Sequence, residues 1–172
     1  PHISLMAESL GQLLRGALKV KGNTIPVEKE LHLLQCYIAI QQIRYENRLD
    51  FHLVIEERLR VCQIPQLTLQ PIVENSIAYG LEQMAGPCTI RVSFSDDESG
   101  VLFVRIEDNG PGIQPDLLAK IQSGTFQPRG FGIGLKNIRD RLRLIYGEKA
   151  GIQVDSLPGR GTSVTVWMPK RI

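Results

Sequence analysis

The chain has 172 residues, 42% of them apolar, which suits one domain plus an appendage with enough interior to bury most of its apolar surface. Lys and Arg total 20 against 18 Asp and Glu, and a net charge of +2 argues against a surface built for non-specific binding of nucleic acid or membrane. Cys36, Cys62 and Cys88 are isolated and form no C-x-x-C pair, which argues against a zinc site or a disulfide framework and fits a reducing cytoplasm. No apolar run approaches the roughly 20 residues that span a bilayer, and no signal peptide opens the chain. The chain starts without Met, inside helical sequence, and reads as an excised piece of something longer.

In chain order, Met6, Leu10, Leu13, Ala17 and Leu18 recur at helical spacing and predict a helix over residues 4–20, stopped by Gly22-Asn23. A second helix follows Pro26. Val27, Leu31, Leu34, Ile38 and Tyr45 form its stripe, widened by Leu33, Tyr37 and Ile40, so that cover on more than one side is expected. Glu28-Lys29-Glu30 near its start suits the positive end of that helix's own dipole. The pair reads as a helical hairpin or a bundle remnant. Residues 50–55 then alternate as a strand.

From about residue 65 the pattern is α+β. Leu69, Ile72, Val73 and Ile77 mark a helix expected to end at Gly80, with Pro71 in its first turn or at a kink. Residues 89–95 and 101–107 alternate as strands, joined by the turn Asp96-Asp97-Glu98-Ser99-Gly100. Leu135, Ile138, Leu142 and Ile145 give an amphipathic helix beginning at Gly134, and residues 151–157 and 162–168 are two further strands around Pro158-Gly159-Arg160-Gly161. Hairpin-connected strands with intervening helices predict a two-layer α/β sandwich: a mixed, mostly antiparallel sheet with helices on one face.

Three places carry chemistry. Asp108 closes a strand where a carboxylate can accept a hydrogen bond from a donor such as the exocyclic amino group of adenine, and Gly110 and Gly112 leave the backbone free of Cβ atoms for close approach. The competing reading is a hairpin turn at Asn109-Gly110. Gly130, Gly132 and Gly134 precede a helix whose N-terminal N–H groups could hold phosphate. Here the competing reading is a glycine linker. Residues 123–129, with Phe126, would form a short lid. Asn75 stands in mid-helix, where its intrinsic propensity is unfavourable by up to ~0.7 kcal/mol, so either a hard oxygen for Mg²⁺ or a bond to a neighbouring loop is its reason.

Taken together, Glu74-Asn75-Ser76, Asp108-Asn109-Gly110-Pro111-Gly112 and Gly130-Phe131-Gly132-Ile133-Gly134-Leu135 resemble the N, G1 and G2 boxes of one ATP-binding fold. This Bergerat fold is shared by sensor histidine kinases, gyrase-type topoisomerases, Hsp90 chaperones and MutL-type repair proteins. Within that superfamily, the runs Gln70–Ile77, Tyr37–Tyr45 and Asn137–Leu142, with Tyr146-Gly147, resemble the LytS/YesM-like sensor histidine kinases. The resemblance implies that Asn75 holds Mg²⁺ and Asp108 reads adenine near Thr162. It also implies that Gly110, Gly112 and Ile113, then Gly130, Gly132, Gly134 and Leu135, surround ATP. Residues 1–46 would be a remnant of the dimerisation and phosphotransfer region, and 47–172 the catalytic domain of a cytoplasmic kinase core.

Its implied partners are a histidine-bearing helix of the parent kinase, as a homodimer, and the receiver domain of a response regulator; neither nucleic acid nor membrane is expected to touch this part. Hydrolysing relatives carry a Glu where this chain has Gln70, which favours transfer over water attack and leaves Glu74 to orient a group or accept a proton. Ala78 replaces a phosphate-binding Lys, for which Arg129, Arg139 or Arg141 would compensate. His2, His32 and His52 do not match the phosphoacceptor box, so the acceptor is expected outside this chain. The alternatives are an ATPase, an anti-sigma serine kinase, or a nucleotide-binding module without catalysis.

Overall fold

A computed structural model describes residues 23–123 and 133–172. The helix expected over 4–20, Gly130, Gly132, Arg129 and nearly all of the lid lie outside the described residues. The elements are β1 (Thr24–Pro26), α1 (Val27–Tyr45), β2 (Leu49–Val54), β3 (Gln63–Pro65), α2 (Gln70–Gln83), β4 (Cys88–Asp96), β5 (Val101–Asp108), α3 (Pro115–Ser123), α4 (Ile133–Tyr146), β6 (Gly151–Leu157) and β7 (Gly161–Pro169).

β2, β4, β5, β7 and β6 form one sheet in that spatial order. Among the described residues its one parallel pair is β2 with β4, because α2 carries the chain across between them. The hairpin β4–β5 sets Val92 opposite Ile106, and β5–β7 sets Asp108 opposite Thr162. β1 and β3 form a separate short antiparallel ribbon. Period-two alternation buries Ile90, Val92 and Phe94 of β4, Leu102, Val104 and Ile106 of β5, and Val164, Val166 and Met168 of β7 on one face. The opposite face carries exposed Arg91 and Arg105. The four helices among the described residues cover the apolar face, which gives the expected two-layer sandwich.

One continuous core joins α1 to the rest. Val27, Leu31, Leu34 and Ile38 of α1 are buried in the same cluster as Ile72 and Val73 of α2, while Leu33, Tyr37 and Ile40 are half-buried. Glu30 departs from its expected role. It is only 2% exposed and serves another helix: its carboxylate accepts N–H bonds from Leu67 (3.1 Å), Thr68 (2.8 Å) and Leu69 (3.1 Å), just before α2.

Gly80 is a second departure, since α2 runs through it to Gln83. A Cβ at position 80 would sit 2.5 Å from the Cys88 Sγ, so this glycine exists to let α2 lie against β4 rather than to stop the helix. Arg48 closes the far end of α2, where its Nη2 donates to the carbonyls of Leu81 (3.0 Å) and Met84 (2.6 Å). Two elements have no counterpart in the pattern reading. These are the short ribbon β1–β3 and the nine-residue helix α3.

Candidate functional site

A cavity of about 270 Å³ opens between α2, the loop after β5, and the start of α4. Ile72, Asn75, Ser76, Tyr79 and Gln83 line it from α2, which places it along one face of that helix. Asp108 and Thr162 form its floor at the paired ends of β5 and β7. Gly112, Ile113 and Leu117 close a second side, and Leu135 the third.

Asp108 is held from three directions. Its Oδ2 accepts the Ser76 hydroxyl (2.8 Å), and its Oδ1 accepts the backbone N–H of Gly110 (2.9 Å) and Thr162 (3.2 Å). A carboxylate offers about four acceptor positions, so about one, on Oδ2, is left for a ligand. Burial raises this carboxyl above the ordinary Asp range, and the bonds from Ser76, Gly110 and Thr162 oppose the rise. The charge also reaches Cys88, whose thiol is pushed up to about 11 by burial and then by Asp108.

The glycines after β5 serve the protein's own backbone. A Cβ on Gly112, which has φ of +72°, would collide with the Leu157 carbonyl, and one on Gly110 would lie 2.8 Å from the Asp108 Oδ1. Room for a purine is thus not what the Cβ positions of these glycines supply. They let the loop fold back on the β6–β7 turn, where Gly159 N–H donates to the Pro111 carbonyl (2.7 Å) and Ile113 N–H to the Ser156 hydroxyl (2.8 Å). Ser156 in turn meets the Thr162 hydroxyl at 3.0 Å. The cavity floor is therefore stapled on both sides of Asp108.

The first turn of α4 lies against the first turn of α2. A Cβ at Gly134 would stand 3.0 Å from the Pro71 Cβ and 3.9 Å from the Asn75 Nδ2. Glycine here brings the N-terminal N–H groups of a helix beside the Asn75 amide. That amide is half-buried in the cavity wall and hydrogen-bonds no other described residue. Among the described residues no group of three His, Cys, Asp or Glu side chains forms a metal cage. A single amide side chain in the cavity wall fits Mg²⁺, which binds through one or two protein oxygens and completes its shell with phosphate and water.

Other expected residues lie elsewhere. Glu74 is outside the cavity lining; Gln70 donates to its Oε1 at 2.8 Å, and its charge reaches Tyr37 on α1. Burial, followed by Glu74, pushes the Tyr37 hydroxyl up to about 12. Arg139 points to the Ile121 carbonyl (3.5 Å) and Arg141 donates to the Gln66 carbonyl, so neither stands in for the lysine replaced by Ala78. His32 is exposed on α1, and exposed His52 pairs with Asp50 at 2.8 Å. Ser76, Tyr79, Gln83 and Leu117 are site residues that pattern reading missed. Helical periodicity held the signal for part of this set: Ile72, Asn75 and Tyr79 step by three and four along one face.

The family described as Histidine kinase-, DNA gyrase B-, and HSP90-like ATPase matches residues 63–172, the stretch that builds this cavity. The chain belongs to that family. As a member it carries an ATP-binding domain, and its residues 1–49 match the histidine kinase family. It is similar to the sensor histidine kinase YesM of Bacillus subtilis, with 39% identity over 99% of this chain and 28% of that protein. To the sensor protein LytS of the same organism the identity is 32%, over 84% of this chain and 24% of the relative. The chain thus spans about a quarter of the length of the curated relatives it matches. The fold is also that of the histidine kinase domain from the Erythrobacter litoralis EL346 blue-light activated histidine kinase, with a TM-score of 0.63 at 19% identity over 98% of this chain and 75% of that one.

Proposed function

We propose that the chain is the ATP-binding core of a bacterial two-component sensor histidine kinase, passing the γ-phosphate of Mg·ATP to a histidine of the parent protein. From there it is relayed to the receiver domain of a response regulator. The observation that carries this reading is the open acceptor position of Asp108 in a cavity that also holds Asn75 and the N-terminus of α4. Asp108 accepts the adenine amino group, Thr162 lies beside it, Tyr79 offers an aromatic wall, and Ile113 and Leu135 supply apolar contact. Backbone N–H groups of the glycine run ending at Gly134 hold phosphate oxygens at the positive end of α4.

Asn75 would hold Mg²⁺, which when bound neutralises phosphate charge and aligns the γ-phosphoryl group. Such transfer relies on positioning and charge neutralisation more than on proton chemistry, which suits a cavity whose one acid is committed to the base. Gln70 cannot act as a general base, and Glu74 lies outside the cavity lining with its Oε1 taking the Gln70 amide, which favours the orienting role read for it over the proton-accepting one. The division at residues 46 and 47 is one of roles: the preceding part joins the dimerisation and phosphotransfer region, and the following part binds nucleotide. We place both in the cytoplasm of a homodimeric sensor.

The reading is tested by incubating the parent protein with γ-labelled ATP. Label on protein that is lost in acid and kept in alkali marks phosphohistidine and supports it. Steady phosphate release with no labelled protein would make the chain an ATPase, and acid-stable label on serine a serine kinase.

A further inference from the structure

α2 carries Asn75 and yet has no cap of its own. The residue before it is Leu69, no side chain caps its N-terminus, and it has no acid in its first turn and no base in its last. Orphan N–H and C=O groups at helix ends need partners. Here those partners come from far along the chain. Glu30, from α1, takes the N–H of Leu69 at the helix start and those of Thr68 and Leu67 in the approach to it, and Arg48, just after α1, takes the Leu81 carbonyl in the last turn and that of Met84 just past it. Each charge has the sign that the dipole of α2 favours at that end. Midway between the two clamps, Glu74 of α2 lies within electrostatic reach of Tyr37 of α1.

Glu30 also stands where a third helix arrives. Arg141 of α4 faces it with its charge and donates to the Gln66 carbonyl, while Gly134 of the same helix abuts Pro71. A buried carboxylate is costly to desolvate, whereas a Ser or Thr in the place of Leu69 would cap the first turn of α2 locally without a buried charge. What the buried charge adds is a link between helices. α2 cannot shift along its axis or tilt away from α4 without breaking bonds to α1.

We infer that Glu30 is a positioning residue for the nucleotide site: by fixing where α2 begins, it sets Asn75 against the first turn of α4. Arg48 holds the opposite end in the same way. The inference rests on the nucleotide reading of the cavity and adds that α1, the element nearest the phosphotransfer region, sets the metal-dependent half of the site. Asp108, at the end of β5, keeps its bonds from Gly110 and Thr162 without α2, and only its bond from the Ser76 hydroxyl depends on this clamp.

The test is calorimetric titration with ADP, with excess Mg²⁺ and again with chelator, on wild type, Glu30→Ala, Glu30→Gln and Arg48→Ala, well below each melting temperature. Glu30→Ala is expected to lower the Mg·ADP affinity about tenfold and to change the metal-free affinity less than about twofold, the scale seen when a group supporting a metal ligand is removed. Glu30→Gln, whose amide oxygen still accepts N–H bonds, restores most of the loss, and Arg48→Ala shows the same selective pattern more weakly. Should Glu30→Ala not fold, the pattern in the other two variants decides. A lowered melting temperature with both affinities unchanged, or with both reduced equally, overturns the inference and leaves Glu30 a structural cap. Wild type that binds no ADP would instead remove the nucleotide reading beneath it.

Discussion

Asp108 combines a cost and a proposed function in one side chain. Burial raises its folded-state pKa above the unfolded 3.8, so at neutral pH the folded protein carries an ionised group that it holds less well than water does. Acidification from neutral through the raised value relieves this cost, and the relief is complete near the unfolded value. Asn fits the same contacts: an amide oxygen can accept the Gly110 and Thr162 N–H groups, and the amide N–H₂ can donate to a rotated Ser76 hydroxyl. Asp108→Asn is therefore expected to stabilise the unliganded protein at pH 7, with an advantage that shrinks as the pH falls toward 3.8. Urea unfolding midpoints across that range measure it; an Asn variant less stable than wild type at pH 7 would show that ionisation favours the fold.

Helix α2 shows how tertiary contact overrides local signals. Gly80 reads as a stop because glycine ends many helices, but its reason is Cys88 on the neighbouring strand, which no local window contains. Gly80→Ala should destabilise by about 1–3 kcal/mol through overpacking against the Cys88 sulfur. In a Cys88→Ala background the clash is gone, and the higher helix propensity of Ala should make the change neutral or favourable by up to about 1 kcal/mol. A double-mutant cycle by denaturant unfolding reads the coupling directly. The strands were legible because β4 alternates and β5 and β7 are rich in β-branched and aromatic residues between turns, and Asp108 because an acid ending such a strand sits in a distinctive motif. α3 was not, since its apolar Leu117, Leu118 and Ile121 are too few for a period. Glu30 read as a dipole partner of α1, because what it binds lies about 38 residues onward. For Gly112, backbone collision with Leu157 took the place of ligand approach.

At the scale of the whole molecule, strand ends on the side of the sheet away from the cavity are tied by charge. Arg58, after β2, meets both Asp96 oxygens (2.7 and 2.6 Å), and Lys170, after β7, meets one of them (2.6 Å). Hydrogen bonds from Arg58 and then Lys170 hold the Asp96 carboxyl well below the ordinary range. A lowered folded-state pKa gives stability that is present above the unfolded value of 3.8 and lost as the pH falls through the folded one. Asp96→Asn should thus cost stability at pH 7, and the deficit should narrow in strong acid, as followed by denaturant unfolding. This tie lies at the opposite end of the strands from the Asp108–Thr162 pair, where the proposed chemistry sits. The claim on which that chemistry depends is recognition of adenine by Asp108, and calorimetric titration of wild type and Asp108→Asn with Mg·ADP tests it most directly. A hydrogen bond to a charged acceptor contributes about 1.5–3 kcal/mol, so the variant should bind about 10–100-fold more weakly while remaining folded. Equal affinities for the two proteins would contradict the account.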